Sequence, residues 1–299
     1  MRRLMTMGAA LVLMLSGAMT TYADVGLREP SSIGSQVIFY YDTREGFTTF
    51  ASINQIGSTP VTVQIDYWGP TFETKVTQTL TFAPFAGRVI DVGALKATNG
   101  LGAQQGIAVA SVIDEFGNPI NPYVLTGNFT VANLATGSAW GSPVAGRVGR
   151  NAVDGTTTLP SAIVDGTNVV YQSFQVDALN LAAYYDPQTL APVSAHGNQV
   201  IFINFKNATG VGSPLTSAST AWALTAMRID GQQLPSRTVT VSGVSESDLV
   251  SLLGEDANGS AGRVIFLTRD TAAGVSHLIF FVQSLGTFGT GYLLPSTLN

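Results

Sequence analysis

"QVIFYYDTREGFTTFASINQIGSTPVTVQIDYW", residues 36–68, decides the fold. It reads as strand, turn, strand, turn, strand. In "TPVTVQIDYW", Val61, Val63, Ile65 and Tyr67 fall on one side, and Thr62, Gln64 and Asp66 on the other. That period of two belongs to a half-buried strand, and β-branched residues suit its pleated surface. "QVIFYY" alternates in the same way, with Val37, Phe39 and Tyr41 against Ile38 and Tyr40. "DTREG" sets Asp42 at the start of a turn and Gly46 at its end, which is turn chemistry. "FTTFASINQ" then returns as the partner strand. The stretch also gathers Asp42, Arg44, Glu45 and Asp66 from a charge-poor chain. Arg44, between Asp42 and Glu45, is expected to form an exposed ion pair worth no more than about 1 kcal/mol. Asp42, Arg44 and Glu45 are the candidate interaction residues, facing a neighbouring protein chain rather than a substrate.

The same alternation runs outward along the chain. It predicts strands near 35–41, 47–55, 60–67, 74–82, 87–92, 106–113, 124–133 and 138–140. Further strands follow near 168–176, 198–205, 220–229, 236–242, 262–269 and 275–284. "IGSTP", "EFGNPINP" and "EDANGSAG" separate them with residues that accept positive φ, fix φ or bond their own backbone. One short helix is signalled by "SESDLVSLLGED", with Ser245 as N-cap, Asp248 three residues on, and Gly254 as the stop. A second is weaker, near 177–185. The expected fold is all-β: an antiparallel β-sandwich, Ig-like or jelly-roll-like, in two sandwich halves with one or two short helices. The expected boundaries are a leader over 1–23, a first domain over 24–145, a linker or crossover over 146–167, and a second β-rich domain over 168–299.

The first half resembles bacterial secreted and surface proteins with Ig-like β-sandwich modules. The resemblance rests on "YYDTREGFTTF", "GSTPVTV", "LTFAPFAGRVIDV", "DEFGNPI" and "LTGNFTVANLATGSAW". It covers about half the chain. Its motifs are turns and strands, so it implies a fold and a secreted module of unassigned role. It brings no catalytic residues with it.

Residues 1–23 have the form of a secretory signal: Arg2 and Arg3, an apolar run, then Thr21 and Ala23 at a cleavage site. The run is short for a membrane span, and no later stretch is long enough to cross as a helix; "HLIFFVQSL" is the most apolar. The formal net charge is −5 at pH 7, and the only lysines are Lys75, Lys96 and Lys206. Such a chain is a poor match for nucleic acid or an anionic membrane. The absence of Cys removes thiol catalysis and thiolate metal sites. Export without cysteine suits a bacterial extracellular, cell-surface or periplasmic protein. Only 11% of residues are charged, against about 25% in an average domain. A surface covered by Thr, Ser, Asn and Gly is typical of extracellular β-proteins and of those that assemble with copies of themselves.

Catalytic signatures are missing: no G-x-S-x-G elbow, no H-E-x-x-H and no phosphate loop occurs. "GTFGTG" at 286–291 reads as a glycine-rich strand connection. His196 reads as a loop histidine and His277 as a strand residue on the polar side of a sheet. The weak metal option is Ca²⁺, with oxygen donors at Asp114, Glu115 and Asn118, and at Asp256 and Asn258, though neither loop has the regular spacing. No cofactor is expected. Trp68, Trp140 and Trp222 are candidate aromatic platforms for carbohydrate, or else core residues. The leading expectation is a non-enzymatic structural or interaction protein. Strands such as "HLIFFVQS" and "QVIFYY" must be buried or paired, and pairing with another chain is a route to assembly. The other expectation is a carbohydrate- or ligand-binding sandwich module.

Overall fold

The computed structural model describes residues 32–120, 122–147, 174–176, 196–207, 215–228, 230–257, 262–268, 275–285 and 288–293. The leader, most of the stretch 146–167 and the helix expected near 177–185 lie outside them. The chain is an all-β sandwich. One sheet has five strands in the order β10 (Ala145–Arg147), β2 (Gln36–Asp42), β7 (Gln105–Ile113), β4 (Val61–Trp68) and β5 (Lys75–Phe82).

The other sheet has thirteen strands. It begins with β11 (Phe174–Val176), β16 (Gly262–Thr268), β14 (Ser219–Arg228) and β15 (Arg237–Asp248). It continues through β12 (His196–Asn207), β17 (Val275–Leu285), β18 (Phe288–Leu293) and β9 (Ser138–Pro143). It ends with β8 (Leu125–Asn133), β3 (Phe47–Gln55) and β6 (Gly87–Asp91), while β1 (Ile33–Gly34) adds to β8 and β13 (Leu215–Ser217) to β12. All pairings among these strands are antiparallel except that of β18 with β9.

The alternation read from the sequence becomes two cores. Ile201, Ile203 and Phe205 of β12, with Leu278, Phe280 and Val282 of β17, join the core built on Phe39, Ile65, Tyr67 and Phe129. The residues between them, Val200, Phe202, Ile279 and Phe281, join a second core with Trp222, Leu224 and Phe266. Central strands covered on both faces read as continuous apolar runs, which is why "QVIFINF" and "HLIFFV" lack polar alternation. β2 is also buried at every residue, not on one face only. Its Tyr40 stacks on Trp140 at 5.8 Å between centroids, while Phe39 lies against Tyr67 and Phe129.

Strands from both sides of 146–167 therefore share one sheet and one core. Phe129 meets Phe280 edge-on at 5.4 Å, and Phe72 packs on Phe205 at 5.9 Å. The Val244 N–H donates to the Pro70 carbonyl at 2.9 Å. β15 pairs with β14 up to Ser242 and with β12 from Gly243, so the strand passes from one set of partners to another at that residue. Gly243 has φ +63, and a Cβ there would press on the Pro70 carbonyl oxygen, so only glycine fits.

Three local expectations change. Ser245 does not cap the helix; it lies in β15 opposite Phe202. The helix is Leu249–Leu253, and Asp248 is its N-cap, accepting from the Ser251 N–H at 3.0 Å. "GTFGTG" is not only a connection, because Phe288–Leu293 is β18. Its glycines make room for Trp140: a Cβ on Gly289 would come within 2.8 Å of the Trp140 Cβ, and one on Gly291 within 2.7 Å of the indole. His196 opens β12 rather than sitting in a loop.

Candidate interaction site

The hairpin joining β2 to β3 holds the charge cluster. Gly46, at φ +80, lets the chain reverse, and the Arg44 carbonyl accepts from the Phe47 N–H at 2.9 Å. The Asp42 carboxylate accepts from the Arg44 backbone N–H at 3.0 Å, and from the guanidinium Nε at 3.0 and 3.1 Å and Nη2 at 2.6 Å. The same Nη2 donates to Glu246 Oε2 at 2.7 Å, from a residue 202 positions away. The guanidinium also lies 5.3 Å from the Phe47 ring centroid.

The ion pair expected of Arg44 is present, with Asp42, but it is not the exposed pair expected. Asp42 is 2% exposed and Arg44 41%, and Arg44 points into its own chain. Glu45 stays exposed, with no ion pair among the described residues. Arg44 is held above its ordinary pKa, first by its hydrogen bonds to Asp42 and then by Glu246. Two carboxylates on one guanidinium leave a local excess of negative charge, so the cluster does not suit an anion. A half-enclosed cleft of about 180 Å³ lies beside it, bordered by Tyr40, Asp42, Trp140, Gln199 and Glu246. The arrangement works as a clamp between the first hairpin and β15.

The other candidates are dispersed. Trp222 is fully buried, between Phe202 and His277. Trp68 is buried as well, with the Lys75 ammonium over its ring at 5.4 Å. Trp140 is wedged between Tyr40 and the glycines of β18. The three indoles therefore offer no shared open face. His277 is buried rather than on a polar face, with Nδ1 3.0 Å from the Asn204 side-chain oxygen.

Asp114 spends its carboxylate on its own turn, accepting from the Phe116 and Asn118 N–H groups and the Asn118 amide at 2.8–3.2 Å. Glu115 points to solvent. Asp256 falls in a single 3-10 turn, Glu255–Ala257, and Asn258 lies outside the described residues. Among the described residues no group of three or more His, Asp or Glu side chains could hold a metal ion.

A second surface lies at the outer strands of the two sheets. β5 has β4 as its one neighbour and β6 has β3, among the described residues, so each ends its sheet with an open outer edge there. The turn between them carries Phe85, 73% exposed at φ +53, with Val89 of β6 also 73% exposed. A bulky residue in the left-handed region costs of order 1–3 kcal/mol. It is held there because its N–H donates to the Gln55 side-chain oxygen at 2.8 Å and the Gly57 carbonyl at 3.2 Å. The signal in the sequence was "APFAG", an aromatic inside a turn where no core position needs one.

No family model and no curated protein matches this chain. Among solved structures, it is similar to a glycosyl hydrolase family 2 member from Bacteroides cellulosilyticus at 8% identity and a TM-score of 0.18, covering 88% of this chain and 28% of that one. It therefore spans under a third of that chain's length. The stem and receptor-binding domain of the spike protein P1 from bacteriophage PM2 matches at 11% identity and a TM-score of 0.15, over 91% of this chain and 99% of that one. Procruciferin, an 11S globulin from Brassica napus, matches at 10% identity and a TM-score of 0.14, over 84% and 86%. Scores this low assign no function.

Proposed function

We propose that this is an exported, non-enzymatic interaction protein of the bacterial cell surface or extracellular space that binds other protein chains by strand addition at β5. The observation that carries this is the contrast among the sheet edges. Among the described residues β10 and β11 have three residues each, and β6 is five residues with Arg88 and Asp91 in it. Short strands and charges are the devices that blunt an edge. β5 is long and nearly uncharged: "KVTQTLTF" runs eight residues with Lys75, at the first position, as its one charge and no proline. An added strand would gain main-chain hydrogen bonds along its length. Export rests on the leader-like first 23 residues and on the resemblance of the first half to secreted modules.

Hydrogen exchange followed by mass spectrometry tests the open edge. In dilute monomer the outward amides of β5 should exchange much faster than those of β4. They should slow when a binding partner, or a high concentration of the protein itself, is present. Slow exchange of β5 in the dilute monomer would mean that the edge is already covered, and would overturn the proposal.

A further inference from the structure

We infer that the strand added to β5 is β5 of a second copy, antiparallel about a two-fold axis at Thr79, so that the two five-stranded sheets become one. This rests on the reading of β5 as an open edge and names its partner. Lys75, Thr77, Thr79 and Thr81 are exposed on one face of β5, while Val76, Gln78 and Leu80 are half-buried on the other. In an antiparallel pair, directly opposed residues point to the same face. With Thr79 on the axis, Thr79 meets the partner's Thr79, Thr77 meets the partner's Thr81, and Gln78 meets the partner's Leu80. The exposed face then continues an exposed face and the half-buried face a half-buried one. A shift of one residue would cross them.

The charges fit the same register. The strand's one charge, Lys75, lies at its end, so the two copies of Lys75 fall at opposite ends of the new ladder. Lys75 is also drawn back onto its own sheet, 3.6 Å from Asp66 and over the Trp68 ring. No like charges meet along the seam, and the central pairs are threonines, which suit cross-strand contact. The interface is isologous, and it closes with two copies rather than growing into a filament.

Sedimentation of the exported protein across concentrations, with Thr79→Lys and Thr79→Glu variants, tests this. Thr79 is exposed, so both variants should keep the wild-type circular dichroism. Wild type should form dimers. Each variant alone sets two like charges face to face on the axis and should weaken dimerisation at least about tenfold. An equimolar mixture of the two should recover it, because opposite charges then face each other.

Unchanged dimerisation of both variants would overturn the inference, as would a mixture no better than either variant alone. A wild type that stays monomeric while β5 amides exchange freely would overturn it too. That last result would leave strand addition to a different chain standing. Slow β5 exchange in the monomer would remove both.

Discussion

Phe72 and Phe85 share an uncommon backbone, with φ of +61 and +53, and differ in what their rings touch. Phe72 is 3% exposed and packs on Phe205. Phe85 is 73% exposed. Glycine relieves the backbone at both positions but removes a buried ring only at one. Phe85→Gly should therefore leave stability within about 1 kcal/mol of wild type, or raise it. Phe72→Gly should lower it by about 3 kcal/mol, because a core aromatic is lost. Chemical denaturation measures both; equal losses would show that the Phe85 ring is covered. The aromatic in "APFAG" was visible in the sequence, but not its exposure, because exposure depends on which strands lie next to the turn.

Between elements, the Arg44 clamp carries the most information. The turn itself was legible, since Asp42 and Gly46 are local signals. Glu246 was not, because no local pattern links positions 202 residues apart. Its carboxylate lies on the part of β15 that pairs with β12, past the change of partners at Gly243. Removing Arg44 strands the 2% exposed Asp42 carboxylate beside Glu246. A buried pair broken this way loses several kcal/mol, but Arg44 is 41% exposed and solvent screens the change. Arg44→Ala should therefore cost about 1–3 kcal/mol. A double-mutant cycle with Glu246→Ala should give a coupling of about 1 kcal/mol that shrinks in high salt. A coupling of zero would show that the hairpin and β15 are held by packing alone.

For the molecule as a whole, three tyrosines inside the sandwich set an alkaline limit. Burial pushes the hydroxyls of Tyr40, Tyr41 and Tyr67 above their ordinary value of 10.0. Each also donates to a carbonyl oxygen, at Gln105, Trp68 and Gln78 respectively. The folded state thus keeps these protons where the unfolded chain releases them. Their contribution is fully present below about pH 10 and is lost as pH rises through the folded values, at up to about 1.4 kcal/mol per tyrosine per pH unit. Stability should stay level up to about pH 10 with respect to these groups and then fall steeply. Tyrosinate absorbance of these three should appear together with unfolding; their ionisation near pH 10 in a folded protein would contradict this. The sequence by itself determined most of the strands, from period-two alternation, continuous apolar runs and turn residues, and hence an all-β sandwich, because strand patterning is local; β18, hidden in a glycine-rich stretch, it did not. Tertiary structure alone decided which strands became edges. It also made one core out of segments on both sides of 146–167, buried Trp68 and Trp222, left Trp140 half-buried and turned Arg44 inward. Each of these depends on strand order, and strand order is set by contacts between residues far apart in the chain, which no local pattern records.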